Sequence, residues 1–238
     1  MEVTLNKEPK WSKIDHLFVV LAENEKSFPI RSLEKLFKQS GFKGRDGETI
    51  TLLAGEPRKV TLIGAGKKDS LTMRGVRAAL FAAGKIAKKH RDRSIAVSVP
   101  YELPDLDAAD STRVVADYLS QADYKYDAYI TKKDEDGNLP ITATLIPLDD
   151  LNAKHIKQLE AESTALHDGI RTVRDLGNAP ANLATPTYIA DRAQQVAKNV
   201  GVKCTVYGKK DIERMKMGGL LAVNSGSALE PRFIVLEY

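Results

Sequence analysis

The chain has 238 residues, 42% of them hydrophobic and 29% charged, with a net charge of +4. These values exclude a disordered chain, and a protein of this size buries roughly 70% of the surface its unfolded form exposes. No run reaches the ~18 apolar residues of a membrane span, the charged start from Met1 to Glu8 does not read as a secretory signal, and the lone Cys204 can form neither an internal disulfide nor a thiolate cluster, so a reducing, cytoplasmic compartment is expected.

In chain order, the run from Asp15 to Leu21 reads as a buried strand. A short helix is expected over Ile30 to Ser40 before Gly41, then strands over Thr49 to Leu53 and Val60 to Gly64. Asp69 and Ser70 are candidate caps for a helix from Leu71 to about Lys89, whose buried face would hold Met73, Val76, Leu80, Ala83 and Ala87. Ser94 to Val99 reads as a strand, and Ala108 to Ala122 as a helix with Val114, Val115 and Leu119 inward. An exposed loop is expected over Lys132 to Asn138 and a strand over Ile141 to Pro147. Strands alternating with helices imply a mixed or parallel sheet covered by helices.

Asp149 and Asp150 then precede a long helix from Leu151 to Leu176, with an apolar seam at Ile156, Leu159, Leu166, Ile170, Val173 and Leu176. At about 1.5 Å per residue it extends roughly 40 Å, as a connector between domains would. Thr185 and Pro186 match the N-cap and first position of another helix, ending near Gly201. A strand at Val202–Tyr207, a helix at Asp211–Met215, a loop at Gly218-Gly219 and a strand at Pro231–Tyr238 follow. The expected division is an α/β domain over 1–150, a connecting helix over 151–177, and the opening of a second α/β domain over 178–238.

Chemistry is hard to find in these residues. Gly64-Ala65-Gly66-Lys67 follows a strand but fails both the P-loop and the dinucleotide spacing, leaving a tight turn with at most an anion contact. His16, His90, His155 and His167 share no ligand spacing. Asp105, Asp107 and Asp110 precede or open a helix and suit its positive end. Ser225-Gly226-Ser227 lacks a nucleophile-elbow pattern. Charge is segregated: Thr51 to Pro100 holds eleven basic and three acidic residues, Tyr101 to Asp150 four basic and twelve acidic. The candidate polyanion contacts are Arg74, Arg77, Lys85 and Lys88, at helical spacing on one side.

One resemblance is specific. Arg174-Asp175-Leu176, Asn178, Pro180-Ala181-Asn182 and Thr185-Pro186 resemble the entry to the catalytic domain of cytosolic leucyl aminopeptidases. Met217 to Val223, Gly226-Ser227 and Pro231 to Tyr238 continue that pattern in order. The earlier residues fit the family's N-terminal domain, a helix-flanked sheet similar to macro domains. The resemblance implies a cytoplasmic homohexamer with two divalent metals, zinc or manganese, that removes N-terminal residues from peptides. The family's metal ligands and catalytic residues map onto no position here, so no catalytic residue, metal ligand or bound metal is expected in this stretch. Its expected role is in assembly or in shaping access to the active site. The competing readings are a DNA-binding module on the basic helix and a nucleotide-binding module at Gly64 to Lys67.

Overall fold

The computed structural model describes residues 1–25, 28, 30–131, 141–148 and 151–238. Two compact units emerge, Met1–Arg171 and Thr172–Tyr238. The expected loop at 132–138 and the caps Asp149 and Asp150 lie outside the described residues.

The first unit is built on six strands: β1 (Glu2–Leu5), β2 (His16–Leu21), β3 (Thr49–Leu53), β4 (Lys59–Gly64), β5 (Ser94–Ser98) and β6 (Thr142–Ile146). Their order is β1-β6-β5-β2-β4-β3, all parallel except β3, which runs antiparallel to β4. Strand β2 sits near the centre, and all six of its side chains are buried. A central parallel strand is covered on both faces, which is why it reads as an unbroken apolar run. Phe18 and Val20 face helices α2 (Met73–His90) and α3 (Ala108–Ser120), together with Leu80, Ala83, Val115 and Leu119. Leu17, Val19 and Leu21 face the opposite layer, where α1 (Glu34–Gln39) contributes Phe37 beside Phe28 and Leu33. Strand β1 was not legible beforehand, because four residues at a sheet edge carry little pattern. Its edge is occupied at Leu5, whose N–H donates to Glu160 Oε1 at 2.8 Å.

The expected cap of α2 is corrected. Asp69 and Ser70 belong to a short 3₁₀ turn, and Thr72 caps the helix by accepting from the Gly75 N–H at 3.1 Å. Gly84 is required where α2 crosses the chain after α3, since a Cβ there would come within 2.8 Å of the Ala122 carbonyl oxygen.

Helix α4 (Ala153–Asn178) is capped by the Asn152 side chain, which accepts from the N–H groups of Lys154 and His155. The boundary between the units falls within it. Its predicted seam is not a buried stripe: Leu166 and Val173 are 46% and 69% exposed, and Ser163 is its one buried residue.

The second unit holds α5 (Pro186–Val200), β7 (Lys203–Tyr207), α6 (Lys209–Arg214), α7 (Gly218–Asn224) and β8 (Phe233–Glu237). Thr185 caps α5 by accepting from the Tyr188 N–H at 3.3 Å, with Pro186 at its first position and Gly201 left-handed at its end. The two strands pair antiparallel. Gly218 and Gly219 are the first residues of α7, where a loop was expected. Glycine lowers helix propensity, which is why these two positions read as a loop.

Candidate functional site

Among the described residues, a buried polar constellation lies at the amino-terminal ends of the central parallel strands. His16 opens β2, Lys59 opens β4, and Asp92 lies two residues before the start of β5. Asp92 gets there through the end of α2. Arg91 is left-handed (φ 58°), its N–H donates to Lys88 O, and the Asp92 N–H reaches back to Ala87 O. This is a Schellman closure, usually served by glycine. It turns the chain so that His90, the last helical residue, and Asp92 both come beside His16.

His16 is fully buried and Asp92 is 4% exposed. A carboxylate only accepts, so the His16 Nδ1–H donates to Asp92 Oδ2, at 2.7 Å. His16 Nε2 then accepts from the Thr61 hydroxyl at 2.7 Å, and Thr61 lies 2.7 Å from the Thr51 hydroxyl. Lys59 pairs with the other oxygen of Asp92. The imidazole stacks on Phe18, ring centres 4.1 Å apart, and the His90 ring is 5.5 Å away. Burial holds His16 below its ordinary pKa, outweighing the nearby carboxylate. For Asp92 burial acts upward, but the hydrogen bonds from His16 and Lys59 outweigh it and hold the carboxyl low. The donor atoms of His16, His90 and Asp92 lie within 4.8 Å of one another. Sequence reasoning missed this grouping. Its one visible sign is a histidine opening a buried strand.

The residues singled out beforehand behave differently. Arg74, Arg77 and Lys85 are exposed on α2. Lys88 is partly buried, its ammonium donating to the Asp123 carbonyl at 2.5 Å, so it leaves that basic face. The turn at Gly64 to Lys67 is a correction to the nucleotide-binding reading. The N–H groups of Gly64, Ala65 and Gly66 donate to Glu48 O, Leu21 O and Gly44 O. These three amides are therefore taken, and a 3₁₀ turn separates the loop from the start of α2. A Cβ at Gly64 would collide with the Arg45 carbonyl, which accounts for the glycine structurally. Asp107 caps α3 by accepting from the Asp110 N–H, and Asp110 pairs with Arg113 at 3.0 Å. His155 lies beside Asn152, and His167 accepts from Gln121 Nε2 at 3.1 Å.

In the second unit three carboxylates are engaged in surface ion pairs. Asp211 pairs with Arg214 at 2.7 Å, Glu230 with Arg232 at 3.0 Å, and Glu237 with Lys203 at 2.7 Å. Cys204 is half-buried in β7. An open groove of about 450 Å³ is bordered by Pro186, Leu220, Val223, Pro231 and Arg232. Its walls are largely apolar and offer no acid–base pair.

Comparison with known proteins gives the lineage. Residues 23–133 match the model of the cytosol aminopeptidase family N-terminal domain, and residues 171–238 match that family's catalytic domain. A protein of Ralstonia nicotianae named "Probable cytosol aminopeptidase" is 32% identical over 212 residues, covering 86% of this chain and 42% of its own length. Proteins of the same name from Clostridium tetani and Prochlorococcus marinus are 33% and 32% identical, over 83% and 94% of this chain and 40% and 46% of theirs. The chain thus spans less than half the length of these curated relatives. Among solved structures, a tomato leucine aminopeptidase variant superposes with a TM-score of 0.80 at 21% identity, covering 98% of this chain and 50% of that one. The bottromycin maturation enzyme BotP gives 0.74 at 25% identity, covering 94% and 46%. With two models of one family matched in the family's own order, and relatives aligned across both units, the chain belongs to the cytosol aminopeptidase family.

Proposed function

We propose that this chain is the N-terminal domain and catalytic-domain entry of a metal-dependent aminopeptidase that removes N-terminal residues, such as leucine, from peptides. The observation that carries this reading is the succession of the two domain matches, 23–133 and then 171–238. The first unit serves assembly of the oligomer, a hexamer by family resemblance, and shapes access to the active site. A cytoplasmic location is in keeping with the relatives' name, and no helix among the described residues is long and apolar enough to cross a membrane.

The family's two metals, zinc or manganese, do not fit the residues of the second unit. Asp211, Glu230 and Glu237 are held by Arg214, Arg232 and Lys203 in exposed pairs rather than converging on a point. Support for manganese comes from a structure of BotP in complex with Mn. We therefore place the metal ligands and the hydrolytic chemistry in the part of the family's length outside these 238 residues. The apolar side chains left exposed in the second unit, Val223 at 85% and Leu236 at 53%, suit a surface that further catalytic-domain structure covers.

The test is cleavage of leucine anilide with added manganese or zinc, by this chain alone and by a form extended to the length of the relatives. Metal-dependent turnover is expected from the extended form only. Comparable turnover by the chain alone would refute the placement of the active site, and absence from both would refute the aminopeptidase reading.

A further inference from the structure

We propose that His16, His90 and Asp92 form a binding site for a divalent transition-metal ion of the zinc, cobalt or nickel type, at the amino-terminal edge of the first unit's sheet. The donors suit that class: two imidazoles and one carboxylate are borderline ligands that favour zinc, cobalt or nickel over magnesium or calcium. The spacing suits it too. Ligands of a tetrahedral zinc ion, with bonds of 2.0–2.1 Å, stand roughly 3.3 Å from one another. Here the donor atoms lie within 4.8 Å, and the His16–Asp92 pair is at 2.7 Å. Binding therefore asks His16 and Asp92 to part by about half an ångström, and His90 to close by about an ångström or more. His90 is the exposed member, on the last turn of α2, and has the freedom to do so.

The surrounding residues supply the remaining parts of such a site. A metal-ligating histidine holds its second nitrogen on a fixed partner, which sets the tautomer. Thr61 is that partner, 2.7 Å from His16 Nε2, and it is itself held by Thr51. With a metal on Nδ1, the imidazole proton moves to Nε2 and donates to Thr61, whose hydroxyl donates on to Thr51. That proton is the one now on Nδ1 and shared with Asp92, so the tautomer change frees Nδ1 for the metal and His16 releases no proton. Lys59 is the resident competitor. Its ammonium pairs with Asp92, and its side chain is 23% exposed. It can swing into solvent when a divalent cation takes over the carboxylate, and while in place it weakens metal binding.

The site lies wholly within the first unit and stands independently of the proposed peptidase activity. The test uses the 238-residue chain, titrated with Zn²⁺ by calorimetry and with Co²⁺ by visible absorption. One equivalent is expected to bind saturably, with a cobalt spectrum of a low-coordinate site containing nitrogen. His90→Ala, a change at an exposed position, should weaken binding by about tenfold or more. Lys59→Met should tighten it. Absence of saturable binding, or binding that His90→Ala leaves unchanged, would overturn the proposal. Loss of binding in Lys59→Met, with its fold intact by circular dichroism, would overturn the competitor's role and with it this geometry.

Discussion

In Met1–Arg171 the central strand β2 buries all six side chains, whereas in Thr172–Tyr238 neither strand of the β7–β8 pair fully buries one. The difference lies in neighbours rather than in composition. Strand β2 has β4 and β5 on its two sides and an apolar cluster on each face. In a two-stranded sheet both strands are edges, and such a pair has little independent stability. The apolar residues of the second unit that are nearly out of water are Ala190, Ala197 and Ile212. The comparably apolar β2 and β8 thus reach very different degrees of burial, because burial is conferred by the layers that pack on a strand.

The most direct way to break this comparison is a matched pair of truncations. Phe18→Ala removes a fully buried ring and should cost about 3–5 kcal/mol. Val223→Ala, at a side chain 85% exposed, should change stability by no more than ~0.5 kcal/mol. Denaturant titration of both variants checks this. Equal losses would mean that the second unit's surface is covered in solution.

The polar network sharpens the picture of the first unit. Asp92→Ala leaves the buried His16 Nδ1–H without an acceptor and should cost roughly 2–4 kcal/mol, read as a fall in the denaturation midpoint. The same network sets a pH dependence. His16 is held below its ordinary 6.5, so the unfolded chain takes up the proton first as pH falls. Stability should therefore decline below about pH 6.5, and decline further below about 3.8, because Asp92 is also held low. Lys59 and His90 face the same group and resist its protonation. Midpoints measured from about pH 7 to 5 should fall in the native chain and stay flatter in His16→Leu. Parallel slopes would remove His16 from the account.

Smaller effects belong to helix ends. Thr185→Ala removes the N-cap of α5 and should cost about 1 kcal/mol, seen as faster amide exchange over the first turn of that helix. Arg91→Gly relieves a left-handed non-glycine residue and should stabilise the first unit by up to about 1 kcal/mol. A loss of stability there would show that the arginine side chain contributes more than its backbone strain costs.

Sequence alone determined what depends on neighbours within a few residues. The apolar run at β2, the helical spacing of Val76, Leu80, Ala83 and Ala87, and the Thr185-Pro186 start of α5 are local patterns, and each folds as its pattern says. The family was legible as well, since blocks around Arg174–Pro186 and Met217–Tyr238 retain their order. Tertiary structure decided the rest. The cap of α2 fell to Thr72 rather than Asp69, because a 3₁₀ turn interposes before the helix. Lys88 left the basic face because the Asp123 carbonyl lies within its reach. The grouping of His16, His90 and Asp92 needs residues 74 and 76 positions apart, brought together by strand order and by one left-handed turn at Arg91. Periodicity reports which side of an element faces the core, but not which distant element lies opposite. Long-range meetings of this kind come from sheet topology, which no local spacing encodes.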